Sequence, residues 1–150
     1  MKKDIVIFDL DGTLAIIDDR LKKSLMKNRK LNWKRFFSED LIKEDLPNSP
    51  VIKTANLFHQ NGFKIYIFSG RSEKIKEATV QWLKKYDVPY DLLKMRAKND
   101  NRPDEIIKKE FIFELCILEN IFLILDDRKK VVKMWRSLGL PCFQVNEGDF

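Results

Sequence analysis

One stretch decides the fold of this 150-residue chain: Ile5-Val6-Ile7-Phe8-Asp9-Leu10-Asp11-Gly12-Thr13-Leu14. Its first four residues are β-branched or aromatic, and they predict a short strand that is buried on both faces. The strand runs directly into two carboxylates, Asp9 and Asp11, and Gly12 allows the backbone to turn sharply after them. Because ligands of α/β proteins bind where parallel strands leave the sheet, this placement predicts a functional site.

The residues Asp9 to Gly12 also match two other local structures, a hairpin turn and a calcium-binding loop. Asp11-Gly12 is a common hairpin turn, and Asp-x-Asp-Gly also opens a calcium-binding loop. The calcium loop fails on spacing, because Arg20 stands where that loop needs its bidentate acid and a strand rather than a helix precedes the motif. A hairpin requires a partner strand directly after Leu14, where Ile16-Ile17 is followed at once by charged residues.

Composition predicts residues 1–150 to be one soluble domain. The 29 basic and 23 acidic residues give a net charge of +6, which is compatible with a polyanionic partner. The apolar run after Met1-Lys2-Lys3 is too short for a signal peptide or a membrane span, so we expect a cytoplasmic protein with no membrane partner. Cys116 and Cys142 lie in apolar runs and are expected to be small buried hydrophobes.

A basic insert follows the first strand, and we place this insert or cap at about residues 18–50. The segment from Arg20 to Ser38 holds eight basic residues and no acid, with Trp33, Phe36 and Phe37 near its end. One interpretation is a solvated helical segment whose few apolar residues dock on the core. The other is a basic flap over the site, because the segment leaves from the same edge as the two acids.

The remainder of the chain alternates helices with strands. Apolar spacing predicts helices at about 51–60, 73–86, 103–118 and 129–138, and further strands at about 64–68, 92–95, 121–125 and 141–145. This order predicts a three-layer α/β/α fold around a central parallel five-stranded sheet. No Walker-type phosphate loop occurs in the sequence.

Two later strands also end in polar residues. Ser69-Gly70-Arg71 follows the second predicted strand, where it indicates either an ordinary helix N-cap or an anion-binding corner. Asp126-Asp127 follows the fourth, and two adjacent buried aspartates are costly unless a positive group compensates them. A hard divalent cation shared with Asp9 would do so.

This set of residues resembles the haloacid dehalogenase-like (HAD) phosphohydrolase superfamily. Its four motifs match Asp9-Leu10-Asp11-Gly12-Thr13, Ser69, Lys108 and Asp126-Asp127. The resemblance implies a Rossmann-like HAD fold and a Mg²⁺-dependent phosphatase that acts through an aspartyl phosphate.

A closer likeness covers almost the whole chain and concerns the 3′-phosphatase domains of the phage polynucleotide kinase/phosphatase family. It rests on six stretches: Phe8 to Ala15, Ser69 to Arg71, Arg102 to Glu110, Leu125 to Arg128, Val132 to Arg136 and Gln144 to Phe150. An arginine at the spacing of Arg20 belongs to the same pattern. The chain departs from the family in lacking the kinase half and in having a longer, more basic segment after Arg20.

The resemblance also implies a role for each site residue. Asp9 is the nucleophile, Asp11 the general acid and base, and Ser69 and Lys108 complete the catalytic set. The implied substrate-binding residues are Thr13, Arg20, Gly70 and Arg71. The implied magnesium ligands are Asp9, the backbone carbonyl of Asp11, and Asp126, with waters oriented by Asp127.

Three functional hypotheses follow. The first is a 3′-phosphatase that processes polynucleotide or nucleotide ends, with Trp33, Phe36 or Phe37 stacking a base and with a separate kinase as partner. The second is a general small-molecule or nucleotide phosphatase whose insert closes the pocket. The third is a non-catalytic phosphate- or nucleic-acid-binding module, which would not need the acid/base carboxylate of Asp11.

Overall fold

The computed structural model describes residues 2–150 and contains a five-stranded parallel sheet between two layers of helices. The strands are β1 (Ile5–Phe8), β2 (Ala15–Ile16), β3 (Leu46–Pro47), β4 (Lys64–Ser72), β5 (Leu92–Arg96), β6 (Ile121–Arg128) and β7 (Cys142–Gly148). The helices are α1 (Asp18–Ser24), α2 (Trp33–Phe36), α3 (Glu39–Lys43), α4 (Ser49–Gln60), α5 (Lys76–Lys85), α6 (Asp104–Glu114) and α7 (Lys129–Ser137).

The sheet order is β5-β4-β1-β6-β7, and every pairing within it is parallel. β1 lies at the centre, between β4 and β6, so the predicted α/β fold is confirmed and the hairpin alternative for β1 is wrong. All four residues of β1 are buried, because its side chains alternate between two cores. Val6 and Phe8 pack on the side of α4 and α5, whereas Ile5 and Ile7 pack on the side of α6 and α7.

Three strands end three or more residues beyond their predicted ends: β4 at Ser72, β6 at Arg128 and β7 at Gly148. β4 continues through Ser69 to Ser72, and β6 continues through Asp126 and Asp127 to Arg128, because their backbone pairing with β5 and β7 extends past the apolar residues. Both ladders shift register within these polar ends. The polar residues therefore belong to paired strands at the carboxyl end of the sheet, rather than to free loops.

The end of α6 differs from the prediction. The helix stops at Glu114, four residues before the predicted end, and Cys116 has a left-handed backbone with φ +53°. That conformation ends the helix and leaves Cys116 exposed, so its expected burial is wrong, whereas Cys142 is buried as predicted.

The insert between β1 and α4 is closed at its base by β2 and β3. Ala15 pairs with Pro47 and Ile16 with Leu46, so the segment leaves and re-enters the fold at one point. Phe36 is buried in the core beside α4, whereas the lysines of the insert are exposed. Within residues 2–150, no helix combines the length and the apolar character that crossing a membrane requires.

Candidate active site

The predicted site residues meet at the carboxyl edge of the sheet. Asp9 follows β1, and its backbone N–H donates to the Leu125 carbonyl of β6 over 2.9 Å, which brings it beside Asp126 and Asp127. The three aspartates are 5%, 1% and 1% exposed, respectively. The topology of the sheet alone thus places acids that are more than a hundred residues apart in one buried group.

These three aspartates and Lys108 form what we call the carboxylate cluster. One oxygen from each aspartate lies within 4.8 Å of the others. Lys108 Nζ, from α6, donates to Asp9 Oδ1 over 2.7 Å and to Asp126 Oδ2 over 3.0 Å. The cluster therefore combines three carboxylates with one ammonium group.

Burial dominates the electrostatics of the cluster. It raises the pKa of both Asp9 and Asp127, and the neighbouring carboxylates raise each further while Lys108 opposes the change. Burial disfavours the charged form of Lys108, but Asp126 and Asp9 outweigh that effect and raise its pKa. The cluster has three carboxyl groups and one ammonium group, so ionising all three is unfavourable without a further positive charge.

A hard cation fits this cluster. Among the described residues, Asp127 Oδ1 is buried and has no hydrogen-bond partner. A Cβ on Gly12 or Gly148 would overlap the Asp127 carboxylate, so two glycines leave the space in which that carboxylate sits. Carboxylate oxygens are the ligands that Mg²⁺ prefers, and an unpaired buried oxygen is costly without one.

Asp11 belongs to a different group, the arginine clamp, which comprises Asp11, Arg20, Arg71 and Asp45. Arg71 Nη2 binds Asp11 Oδ1 at 2.6 Å, and Arg20 Nη2 binds the same oxygen. Arg20 also donates to both Asp45 oxygens, over 3.1 Å from Nε and 2.8 Å from Nη2. The two guanidinium groups are buried and match two carboxylates in charge.

The pKa values of the two acids in the clamp shift in opposite directions. Burial favours the neutral form of Asp11, but Arg20 and Arg71 outweigh it and hold the pKa of Asp11 well below its usual range. For Asp45 burial is the larger effect and raises the pKa to about 6 against the opposing charge of Arg20. Asp11 is therefore ionised at neutral pH in this geometry.

The other predicted residues lie around these two groups. Thr13 Oγ1 donates to Asp9 Oδ2 over 3.1 Å, so its hydroxyl contacts the predicted nucleophile. The buried Ser69 Oγ accepts from the Arg71 backbone N–H over 3.1 Å. Gly70 has no room for a side chain, because a Cβ there would lie 2.6 Å from an Asp104 oxygen.

The structure adds two acids that the sequence interpretation missed. Asp45 joins the clamp from beyond α3, and only the folded insert brings it to Arg20. Asp104 lies one helical turn before Lys108 on α6 and accepts from Arg96 and from Arg128, the latter over 2.6 Å. Its position four residues before Lys108 is a signal that the sequence contains, because residues i and i+4 share one face of a helix.

A cavity of about 560 Å³ opens above the site. Asp9 and Asp11 line its floor, and an aromatic wall and basic side chains line its sides. The aromatic residues are Trp33, Phe36, Phe37 and Phe150, and the basic ones are Lys74, Arg96, Arg102, Arg128 and Lys130. The cavity has a size typical of small-molecule sites.

Comparison with known proteins supports a family assignment. The family model described as the phosphatase domain of polynucleotide kinase PNKP matches residues 3–150. A protein of the Autographa californica nuclear polyhedrosis virus, named as a bifunctional polynucleotide kinase/RNA ligase, is 30% identical over 140 residues. That match covers 91% of this chain and 18% of the viral protein.

Solved structures agree with this assignment. A chain in a structure of the Pnkp1/Rnl/Hen1 complex is 40% identical, with a TM-score of 0.83, over 99% of this chain and 48% of that one. A predicted phosphatase from Clostridium acetobutylicum has a TM-score of 0.76 at 14% identity, over 99% of this chain and 87% of that one, and shares the fold. The chain thus spans less than half of the longer Pnkp1-complex and viral relatives.

Proposed function

The chain belongs to the family of polynucleotide kinase PNKP phosphatase domains, and from that premise we propose that it removes 3′-phosphates from polynucleotide or nucleotide ends. The observation that carries the proposal is the carboxylate cluster: Asp9 lies on the cavity floor, beside two further buried acids and a lysine. A phosphate-binding module needs no such excess of negative charge, because anions repel. A phosphatase that uses a metal ion does need it.

Asp9, Asp126 and Asp127 would hold Mg²⁺ together with the backbone carbonyl of Asp11. When bound, this ion neutralises the charge between the incoming phosphate and Asp9, so that the two anions can approach.

Asp9 acts as the nucleophile in this proposal. A carboxylate oxygen forms the bond to phosphorus while the bond to the leaving 3′ oxygen breaks, which gives an aspartyl phosphate. Thr13 donates to Asp9 Oδ2 and Lys108 donates to Asp9 Oδ1, so both carboxylate oxygens are oriented before substrate arrives. Water then attacks the phosphorus, the aspartyl–phosphate bond breaks and phosphate leaves.

Asp11 moves the proton. As the entering phosphate draws Arg20 and Arg71 toward its oxygens, Asp11 takes up a proton from solvent, gives it to the leaving oxygen in the first step, and takes one from the attacking water in the second. The ionised form that Arg20 and Arg71 stabilise is the one that can accept the water's proton. We propose that the first task of both arginines is to position Asp11, and that they meet the phosphate oxygens as substrate enters, alongside Ser69, Lys108 and the backbone of Gly70.

A substrate panel tests the proposal. Phosphate release is measured with Mg²⁺ on 3′-phosphorylated DNA and RNA oligonucleotides, a nucleoside 3′-phosphate, p-nitrophenyl phosphate and sugar phosphates. We expect the 3′-phosphorylated ends to have the highest kcat/KM, with a preference that weakens as salt rises. A lead of orders of magnitude for sugar phosphates would identify a general small-molecule phosphatase instead.

We also propose that a polynucleotide kinase activity works with this phosphatase. The proposal is supported by the similar chain in the Pnkp1/Rnl/Hen1 complex and by the viral relative named for kinase and ligase activities. An RNA with a 3′-phosphate and a 5′-hydroxyl would then need both activities before ligation. Reconstitution of end joining with and without this chain tests the pairing.

A further inference from the structure

The aromatic wall of the cavity presents one ring to solvent. Trp33, at the start of α2, is 46% exposed, whereas Phe36 is only 1% exposed and belongs to the core. Trp33 lies nearly parallel to Phe37, with ring centroids 5.9 Å apart and planes 20° apart. We propose that Trp33, backed by Phe37, is the stacking platform for the nucleobase of the 3′-terminal nucleotide. This inference rests on the proposed function, because it names what the same site recognises beyond the phosphate.

The platform is held firmly. Trp33 contacts the edge of Phe36 at 5.6 Å and 88°, and Phe36 in turn lies under the Arg20 guanidinium, 4.3 Å from ring centroid to Cζ. The Phe36 carbonyl accepts from Arg20 Nη1 over 3.1 Å, and the Asn32 side chain caps α2 by accepting from the Arg35 N–H. The aromatic wall and the arginine clamp are therefore one connected unit, which supports the exposed ring from its buried side.

The exposed ring and the floor of the cavity match two parts of one nucleotide. Trp33 and Asp9 line the same cavity, so a 3′-phosphate at Asp9 and the base of the same nucleotide at the ring both fall within it. Stacking on an aromatic face is tolerant of base identity, because every base has a π-face. A sugar phosphate has no planar π-face to stack on the ring.

The charge around the platform favours a nucleic acid over an apolar ligand. Lys130 lines the cavity and, within residues 2–150, takes part in no ion pair. On the insert that carries Trp33, Lys27, Arg29, Lys30 and Lys34 are exposed, and the described part of the chain offers none of them an acidic partner within 4 Å. Unpaired cations on the cavity lining and on the insert that carries the ring fit a stacked base whose neighbouring phosphodiesters continue across the insert.

The test compares two 3′-phosphorylated oligonucleotides that differ only in the base of the last nucleotide, one normal and one abasic. In Trp33→Ala, we expect kcat/KM on the normal end to fall about tenfold or more, through KM, and on the abasic end to stay unchanged. Trp33→Phe should keep most of the activity on the normal end. Phe143→Ala, which removes an exposed aromatic ring outside the cavity lining, is the matched control and should change neither substrate.

A second readout is independent of turnover. Trp82 and Trp135 are 3% and 0% exposed, so quenching of tryptophan fluorescence by an oligonucleotide reports on Trp33. We expect quenching by the normal end that is weaker with the abasic end and absent in Trp33→Phe.

The outcomes separate this inference from the proposed function. An equal loss on both ends, no loss on either, or no quenching of the wild type would overturn the stacking platform while phosphate release from 3′ ends still stood. Wild-type protein that releases no phosphate from any 3′-phosphorylated end would instead overturn the proposed function, and the platform with it.

Discussion

The carboxylate cluster and the arginine clamp lie side by side, yet they balance charge in opposite ways. The clamp pairs two carboxylates with two guanidinium groups, whereas the cluster sets three carboxylates against one ammonium group. Asp9 and Asp11 are only two residues apart and would share a face in a continuing strand, but β1 ends at Phe8 and the chain turns before and after Asp11, so the two acids belong to different groups. The difference teaches that one group is balanced within the protein, whereas the other has more carboxylates than cations, which is the group where we propose that Mg²⁺ binds.

The energetic reason is the cost of buried charge. An ionised group removed from water costs several kcal/mol unless a partner compensates it. The clamp meets that cost fully at Asp11 and partly at Asp45, since each guanidinium donates to a carboxylate. The cluster does not, and Asp127 Oδ1 stays without a hydrogen-bond partner among the residues described. Metal removal and single substitutions change the cluster or the clamp separately, and therefore test this contrast.

Removal of divalent cations should abolish the function of the cluster and leave the clamp intact. We expect chelation to reduce phosphate release to background and added Mg²⁺ to restore it, because Asp9 cannot approach a phosphate dianion without compensating charge. Mg²⁺ should also raise the thermal midpoint of the wild type, since a ligand that binds only the folded state stabilises that state. The rise should be smaller in Asp126→Asn. Equal release in chelator and in Mg²⁺ would refute the assignment of the cluster.

Substitution Asp11→Asn removes the proton carrier from the clamp. We expect kcat to fall about 10²- to 10⁴-fold, the usual contribution of general acid–base catalysis, with an unchanged response of the thermal midpoint to Mg²⁺. Steady-state kinetics and thermal melts with and without Mg²⁺ check both parts. Full activity in this variant would remove Asp11 from the chemistry.

Substitution Asp45→Asn tests the outer half of the clamp. Arg20 loses one of its two anchoring carboxylates, so we expect about a tenfold loss of kcat through misplacement of Asp11. Asp40→Asn, an exposed acid on the same insert, is the matched control and should keep full activity. Equal kcat in both variants would show that Asp45 has no positioning role.

The same variant gives a pH prediction. Burial raises the pKa of Asp45 from 3.8 to about 6, so the folded state retains its proton when the unfolded state has lost it. The stability that Asp45 contributes is present below pH 3.8 and is lost as the pH rises through 6. We therefore expect the free energy of unfolding of the wild type, relative to Asp45→Asn, to fall from pH 4 to pH 7. Denaturant titrations of both proteins across this range check the sign.

Much of the fold followed from the sequence, and part of the site did not. The apolar run of β1 and the alternation of helices and strands predicted the sheet, because burial on both faces leaves a clear pattern. The meeting of Asp9 with Asp126 followed from the rule that parallel strand ends share an edge. The partnership of Arg20 with Asp45 could not be predicted, because it depends on how the insert folds back. The spacing of apolar residues along the chain carries no information about that.

The most direct measurement compares Mg²⁺-dependent phosphate release from a 3′-phosphorylated oligonucleotide by the wild type and by Asp9→Asn. The substitution keeps the shape of the side chain but replaces the carboxylate with an uncharged, non-nucleophilic amide, with circular dichroism as the check on folding. We predict release by the wild type and a loss of about 10⁴-fold or more in the variant. Release by a folded Asp9→Asn protein at the wild-type rate would contradict the account.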